Sequence, residues 1–221
     1  MRHAARGRAT RAAALRSLGP LAALIVGACS PAQPASHVVR APCPPRMVRA
    51  GAACIDRHEA RIVDGRAEPA LDAPATSGVS FRDAERACQE AGLRLCTGAE
   101  WSRACEGAGT PRKLPYGDRW EAHRCNTGEW DDDLTRIAVR PSGAFPRCVS
   151  PEGVLDLSGN VWEWTSEPDP TGALRELRGG GARNAEPQAV CRLSDRFFLD
   201  PDAREGLLGF RCCTRARTAS P

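Results

Sequence analysis

Acidic and aromatic residues are concentrated in residues 153–165, GVLDLSGNVWEWT, around a Ser-Gly-Asn turn. Asp156 and Glu163 stand on either side of this turn, where backbone carbonyl groups can also point inwards. Carboxylate and carbonyl oxygens around one small volume are the hard ligands that Ca²⁺ requires. The same residues also suit a core hairpin, in which short strands flank the turn and Trp162 and Trp164 are buried. The pattern alone leaves both interpretations open.

Cysteine is the second residue type with chemical potential, since the chain contains 11 cysteines. Cys29 follows a candidate export signal, and the others are an even set: Cys43, Cys54, Cys88, Cys96, Cys105, Cys125, Cys148, Cys191, Cys212 and Cys213. An even number of cysteines in an exported chain predicts a disulfide framework. Zinc is disfavoured because no two cysteines have C-x-x-C spacing. A bridge between Cys43 and Cys54 would close a small loop at the start of the fold.

Residues 1–28 have the organisation of an export signal. They contain five arginines, no acidic residue, and a largely apolar run over residues 18–26 that is far shorter than a membrane-spanning helix. The Val-Gly-Ala-Cys ending resembles a bacterial lipobox, which implies cleavage before Cys29 and a diacylglycerol group on its thiol. An ordinary signal peptide cut near the same place is the alternative. Residues 29–45, rich in Pro, Ala and Ser, suit a tether. We expect an exported protein that is lipid-anchored to a bacterial membrane.

The distribution of charge argues against one class of partner. The chain has 31 basic and 27 acidic residues, but five of the arginines lie in residues 1–28, which leaves 26 basic residues. The arginines that remain are interspersed with acids, as in RDAER. Nucleic acids and anionic membranes both attract surfaces on which positive charge is concentrated. The overall charge therefore predicts no nucleic-acid partner and no anionic-membrane footprint.

Two amphipathic helices are predicted from apolar spacing and capping residues. One covers residues 81–91 after Ser80, and the other covers residues 98–106 after Thr97 in a Thr-x-x-Glu capping box. Each helix is followed by a glycine, which favours helix termination.

Short strands and loops account for the rest of the chain. Paired strands are expected within residues 47–62, and a strand over residues 173–178 leads into three consecutive glycines. Residues 207–214 predict one terminal strand in which alternate residues face opposite ways. Residues 108–151 are mostly loops, which disulfides or a metal would have to hold.

Seven motifs occur in this order: VSFRDAERACQEAGLRLCTGAEWSRACEG, PYGD, CN, GVLDLSGNVWEWT, LRGGGA, CRLSDR and GLLGFRC. The set resembles the formylglycine-generating enzyme family, also called sulfatase-modifying factors, over about residues 47–213. The resemblance implies an α+β, disulfide-rich variant of the C-type lectin-like fold, with two helices, short antiparallel strands and much irregular chain. We place this domain at residues 46–214 and expect a disordered tail over residues 215–221.

The resemblance also implies calcium. One ion would be held by four groups of the central motif: the Asp156 side chain, the Gly159 and Val161 carbonyls and the Glu163 carboxylate. The family usually has Asn in place of Asp156, and Asp is an equally hard ligand. A second ion would bind the side chain of Asn126 and the carbonyl of Thr127. Its other ligands fall in a stretch that the resemblance does not align, where the candidates are Glu129, Asp131, Asp132 and Asp133 and the alternative is a solvated acidic loop with no ion.

Copper chemistry is implied for the family but not for this chain. The family enzymes oxidise a substrate cysteine to formylglycine with O₂, using two cysteines that bind Cu(I) after the glycine-rich turn. Here that segment, GARNAEPQAVCR, contains only Cys191, which matches the second of the two. The first position falls among Arg183, Asn184 and Ala185, none of which has a thiol. Cys191 is therefore the one candidate catalytic residue, and we do not expect copper.

The family's disulfides give further expectations. Cys88 pairs with Cys212 by resemblance. The usual partner of Cys105 is missing, since Arg196 stands there, and we expect Cys125 to replace it. Four cysteines would then pair among themselves: Cys96, Cys148, Cys191 and Cys213.

The sequence thus predicts a non-catalytic binding or scaffolding module, and the alternative is a formylglycine-generating or related redox enzyme that uses Cys191. A related branch of sulfoxide synthases needs a histidine triad, and the predicted domain has only His58 and His123. Glu59, beside His58, is expected at the surface or at a strand edge. Four residues near the glycine-rich turn are candidates for lining a groove that would take a protein or an anionic ligand: Arg183, Asn184, Arg192 and Arg196.

Overall fold

The computed structural model describes residues 43–71, 73–128, 138–184, 189–192 and 194–217. The predicted signal peptide, Cys29, most of the tether and the acidic residues at 129–133 lie outside these ranges. In the described part, no helix is long and apolar enough to cross a membrane.

Both predicted helices are confirmed. α1 covers Phe81–Glu90, and its N-cap Ser80 accepts a hydrogen bond from the backbone of the first turn. α2 covers Gly98–Glu106 and begins with the predicted capping box at Thr97. Both starts are determined locally, because a capping side chain satisfies amide groups that have no partner within the helix.

Within the described residues, ten short strands form three sheets. In chain order they are β1 (Met47–Ala50), β2 (Ala53–Asp56), β3 (Ala60–Val63), β4 (Arg66–Pro69), β5 (Arg94–Leu95), β6 (Trp162–Pro168), β7 (Arg175–Arg178), β8 (Phe197–Leu199), β9 (Leu208–Phe210) and β10 (Cys212–Arg215). The first sheet has the order β1-β2-β10-β5, and β3 pairs with β4 as a separate ribbon. The third sheet has the order β8-β7-β6-β9.

Two strand expectations are corrected. β6 and β9 pair in parallel, so the strands are not all antiparallel. The predicted terminal strand over residues 207–214 is divided at Arg211, and its halves β9 and β10 belong to different sheets. At this break the Arg211 side chain is buried, and its guanidinium donates to Glu163 and to the Asp56 carbonyl. β10 also continues to Arg215, one residue beyond the predicted domain end.

The hairpin interpretation of residues 153–165 is also corrected. Only the part after the turn is a strand, β6, while residues 153–161 form turns with one isolated bridge between Val149 and Leu155. Trp164 is a core residue whose indole N–H donates to the Val79 carbonyl at 2.8 Å. Trp162, two residues earlier and on the same face of β6, is half-buried and packs against the outside of this core cluster.

The core has two main clusters, one on each helix. α1 packs its Phe81 side on Trp164, Leu177 and Phe210 from the β8-β7-β6-β9 sheet. α2 contributes Trp101 to a second cluster, together with Ile55, Val154, Leu157 and several cysteines.

Five disulfides connect these layers: Cys43–Cys54, Cys88–Cys212, Cys96–Cys213, Cys105–Cys191 and Cys125–Cys148. The first two are the pairs expected from the sequence. The expected pair of Cys105 with Cys125 is wrong. Cys105 faces the second core cluster, which the segment containing Cys191 also enters, whereas Cys125 lies in irregular chain beside Cys148.

Candidate functional site

The glycine-rich turn at residues 179–181 follows β7 and packs closely on its surroundings. Gly179 and Gly180 have φ values of 88° and 71°, which favour glycine. A Cβ atom on Gly179 would lie 3.0 Å from the Trp101 ring, and the Gly179 carbonyl accepts from the Gly159 amide at 2.8 Å. The turn is therefore held between α2 and the central motif.

Hydrogen bonds hold the segment after this turn at the position where the family has its first copper-binding cysteine. The side-chain oxygen of Asn184 accepts from the Gly181 amide at 2.8 Å. The Asn184 carbonyl accepts from the Gly128 amide at 3.1 Å. A Cβ atom on Gly128 would lie 2.6 Å from the Arg183 carbonyl oxygen, so the backbones are in close contact. The Arg183 side chain projects outwards and is exposed.

Cys191, the candidate catalytic residue, is bonded to Cys105. Both residues are 0% exposed, and the Cys191 amide donates to the Lys113 carbonyl at 2.9 Å. Nucleophilic attack and Cu(I) binding both require a thiolate, which a disulfide sulfur does not supply. Cys191, which was a candidate only for the alternative redox function, is thus bonded to Cys105 and not a free thiol in this structure. All ten cysteines of the described ranges are in disulfides.

A cleft of about 620 Å³ lies beside the glycine-rich turn. Its lining combines apolar residues with one cation and one carboxylate, and includes Val139, Trp162, Arg183, Glu205, Leu207 and Leu208. Trp162 extends an aromatic surface towards Phe197, since their ring centroids are 5.6 Å apart and Phe197 is 56% exposed. Such a mixed lining suits a ligand with an apolar part and a charged group.

The four groove candidates have separate roles. Arg183 lines the cleft, whereas Asn184 holds the turn. The Arg192 carbonyl accepts from the buried Arg178 guanidinium at 2.7 Å. The Arg196 guanidinium lies 5.4 Å from the centroid of the Phe198 ring. The structure thus places one of the four in the cleft.

A buried ionic cluster underlies the predicted calcium motif, with Arg211 at its centre. Arg211 is 1% exposed, and its guanidinium donates to both oxygens of the Glu163 carboxylate at 2.6 Å each. The Trp101 indole N–H also donates to this carboxylate, at 2.8 Å. Nη2, one of the two Arg211 nitrogens that donate to Glu163, also donates to the Leu155 carbonyl at 2.9 Å. Glu163 therefore has a complete set of protein partners.

Three more buried carboxyl groups surround this ion pair. Asp156 accepts from the Ser142 hydroxyl at 2.9 Å and from the Gly143 amide at 2.6 Å. Glu59 accepts from the Asn160 side-chain amide and from the Val161 amide. Asp56 accepts from the Cys212 amide at 3.0 Å. The prediction of Glu59 as a surface residue is wrong, because it is 0% exposed.

The electrostatics of the cluster are unusual for carboxyl groups. Burial raises the pKa of Asp56 to about 6. Burial also raises the pKa of Asp156 and of Glu59, and for Glu59 the nearby Asp156 and Glu163 charges add to the effect. Four acids share one buried guanidinium, so the cluster favours protonation of some of its carboxyl groups near neutral pH.

The residues of the first predicted calcium site do not fit the ion as expected. Both oxygens of Glu163 are paired with Arg211, so this carboxylate is not offered to a metal. In the described ranges, no group of three or more His, Cys, Asp and Glu side chains could hold a metal ion. The Arg211 guanidinium supplies the positive charge that neutralises the Glu163 carboxylate, a role that a bound calcium ion would otherwise have. Calcium binding here stays a prediction that a melting experiment can decide.

The second predicted calcium site is only partly described. The Asn126 side-chain amide donates to the Asn160 side chain at 2.7 Å and to the Ala138 carbonyl at 3.0 Å. Thr127 is buried beside Gly159, where any Cβ atom would collide with the Asn126 carbonyl. These contacts join two loops, and the acidic candidates lie outside the described residues.

Sequence reasoning missed Glu59 and Arg211 as members of the buried cluster. Arg211 lies in the GFRC motif, between an aromatic residue and a cysteine that were both expected to be buried. An arginine in such a position needs a buried counter-charge, and this was a signal of an internal ion pair. Glu59 had no comparable signal, because its partners come from the backbone and side chain of a distant turn.

The profile of the sulfatase-modifying factor enzyme 1-like domain matches residues 47–216. The chain belongs to the sulfatase-modifying factor family. This confirms the resemblance drawn from the seven motifs.

Relatives in the family include active and inactive proteins. The inactive C-alpha-formylglycine-generating enzyme 2 of Mus musculus is 33% identical over 151 residues, which cover 62% of this chain and 48% of that protein. The formylglycine-generating enzyme of Streptomyces coelicolor is 33% identical over 177 residues, which cover 64% of this chain and 53% of that protein. The chain thus spans about half the length of these curated relatives.

The fold of this family member is also similar to solved structures. PvdO from Pseudomonas aeruginosa matches with a TM-score of 0.54 and 20% identity, over 75% of this chain and 80% of that chain. This likeness concerns the fold alone, and it confirms the α+β C-type lectin-like architecture expected from the sequence.

Proposed function

We propose that this sulfatase-modifying factor domain is a non-catalytic binding module of an exported, lipid-anchored protein. The observation that supports it most directly is the Cys105–Cys191 disulfide, in which both residues are fully buried. Oxidation of a cysteine through Cu(I) needs two thiolates that can reach the metal together. In this chain one position has no thiol, and the other thiol is committed to a structural bridge.

The ligand is expected in the cleft beside Trp162. The volume of about 620 Å³ exceeds that of a single side chain, and the indole and leucine surfaces suit an apolar residue of a polypeptide. The exposed Arg183 can pair with a carboxylate of the same ligand. We therefore propose an extended protein segment that has an apolar and an acidic residue close together.

The five disulfides support a location outside the cytoplasm, because bridges of this kind persist in oxidising compartments. We propose that diacylglycerol on Cys29 holds the protein to the membrane, as the lipobox-like sequence indicates.

A thiol count tests the absence of catalysis. Alkylation of the denatured, non-reduced protein followed by mass spectrometry should detect no free cysteine among residues 43–217, because all ten are paired. The same protein should bind no stoichiometric Cu(I) and should form no aldehyde on a sulfatase-type cysteine peptide under O₂. A Cys105→Ala variant is the matched control, since it should show one alkylated thiol, at Cys191.

The rival redox function makes the opposite prediction. An oxidase that uses Cys191 requires at least two free thiols in the folded, mature protein. Detection of these thiols together with stoichiometric copper would show that the domain is catalytic.

A further inference from the structure

The two ends of the described domain lie side by side. β10 pairs with β2, with Arg215 opposite Ala53, and the Cys43–Cys54 disulfide attaches the beginning of the domain to the same strand. A cavity of about 370 Å³ separates these ends and is lined by residues that include Cys43, Pro44, Arg215 and Arg217. The point where the tether enters is therefore next to the last strand.

Positive charge is concentrated at this place. Residues 43–57 and 212–217 contain five arginines and one acidic residue, Asp56, which is buried. Arg46, Arg215 and Arg217 are exposed, and within the described ranges none of them has an ion-pair partner. Arg49 lies beside them, since its guanidinium donates to the Arg217 carbonyl at 3.2 Å.

Several arginines elsewhere in the described ranges are paired with carboxylates. Arg82 pairs with Asp202 at 2.7 Å, and Arg103 pairs with Glu152 at 2.9 Å. The overall charge close to zero therefore hides a local excess at the end that joins the tether. We name the surface formed by Arg46, Arg49, Arg215 and Arg217 the terminal arginine face.

We propose that the terminal arginine face docks on anionic phospholipid head groups of the membrane that carries the protein. The proposal rests on the proposed lipid anchor at Cys29. The 13 residues between Cys29 and Cys43 span at most about 50 Å when fully extended, so the anchor keeps this face within reach of the bilayer. Guanidinium groups bind phosphate oxygens with two parallel hydrogen bonds, which suits them to phospholipid head groups.

Docking has a functional consequence for the binding module. A domain that is held only by a flexible tether samples all orientations, whereas electrostatic docking at one end restricts them. The attraction falls off within about 10 Å at ordinary ionic strength, so it acts once the tether has brought the face to the surface.

The test uses the mature chain with Cys29→Ser, exported behind a cleavable non-lipoprotein signal, and sedimentation with vesicles. The protein should bind vesicles of phosphatidylglycerol and phosphatidylcholine more strongly than vesicles of pure phosphatidylcholine, and added salt should weaken the binding. Each arginine near an anionic surface contributes about fivefold. Arg215→Gln with Arg217→Gln should therefore lower the partition coefficient about 30-fold, and the two Lys replacements should largely preserve it.

The matched control removes the same charge elsewhere, with Arg112→Gln and Arg119→Gln at two other exposed positions. Equal losses in control and test variants, or equal binding to neutral and anionic vesicles, would overturn the proposal. The lipid anchor is tested separately, by labelling cells that produce the wild-type protein with radioactive palmitate and measuring the label on the protein. Loss of that label with intact vesicle binding would refute the anchor and leave the arginine face as a separate membrane-binding surface.

Discussion

Replacement of Asp56 by asparagine should make the protein more stable at neutral pH. Asp56 is buried and accepts a hydrogen bond from the Cys212 amide, and an asparagine side-chain oxygen can accept the same bond. The substitution therefore removes a charge that burial disfavours while it retains the geometry. It acts on a cluster in which four carboxyl groups face one buried guanidinium.

The magnitude follows from the pKa of Asp56, which burial raises from 3.8 to about 6. Because the folded pKa is the higher one, the folded chain binds this proton more tightly, and the free energy of unfolding falls as pH rises from about 4 to about 6. At 1.36 kcal/mol for each pH unit, the full loss is about 3 kcal/mol. Between about pH 4.5 and about pH 7.5, some 2 kcal/mol of this loss should be measurable.

Urea unfolding with intact disulfides, followed by tryptophan fluorescence at both pH values, measures the effect. Glu59 and Asp156 also have raised pKa values and should add to the fall in the wild type. The difference between wild type and Asp56→Asn isolates the contribution of Asp56. Asp64→Asn, in an exposed turn, is the control and should leave the pH dependence unchanged. A variant that loses as much stability as the wild type with rising pH would refute the reasoning.

Two further predictions concern the metal and the cleft. Addition of a calcium chelator should leave the melting temperature unchanged, because Arg211 already neutralises Glu163; a fall of several degrees on chelation would establish a bound ion instead. Peptides selected from a displayed random library on the wild-type protein should lose binding to Trp162→Ala and to Arg183→Glu, which remove the apolar and the cationic part of the cleft. The same peptides should still bind the control variant Arg112→Glu. Peptides that bind both cleft variants as strongly as the wild type would show that the binding surface lies elsewhere.

The features that the sequence predicted correctly are those with local causes. Ser80 and Thr97 cap their helices through contacts within four residues, so their types and spacing were sufficient. The order of seven motifs was sufficient for the family and for the fold, because it reflects one ancestral arrangement of strands and loops.

The features that the sequence did not predict depend on distant contacts. The partner of Cys105 is 86 residues away, across a region with little regular structure, and no spacing rule links the two cysteines. The pairing of Glu163 with Arg211, 48 residues later, was not predicted either, and calcium binding at this motif stays a prediction. The wrong partner for Cys105 and the missed ion pair have one cause, because loop-rich chain brings together residues that no periodic pattern connects.

The position of β10 has a consequence for how the chain folds and forms its disulfides. This last described strand lies between β2 and β5, and its adjacent cysteines close bridges to Cys88 and Cys96 across 124 and 117 residues. The first sheet therefore remains open until the end of the domain is available for pairing. Until then the thiols of Cys88 and Cys96 have no partner, and their partners, when they arrive, are adjacent in sequence. Pairing of each thiol with the wrong one of the two would give an incorrectly connected chain. Successful biogenesis thus depends on an oxidising machinery that can correct a bridge as well as form one.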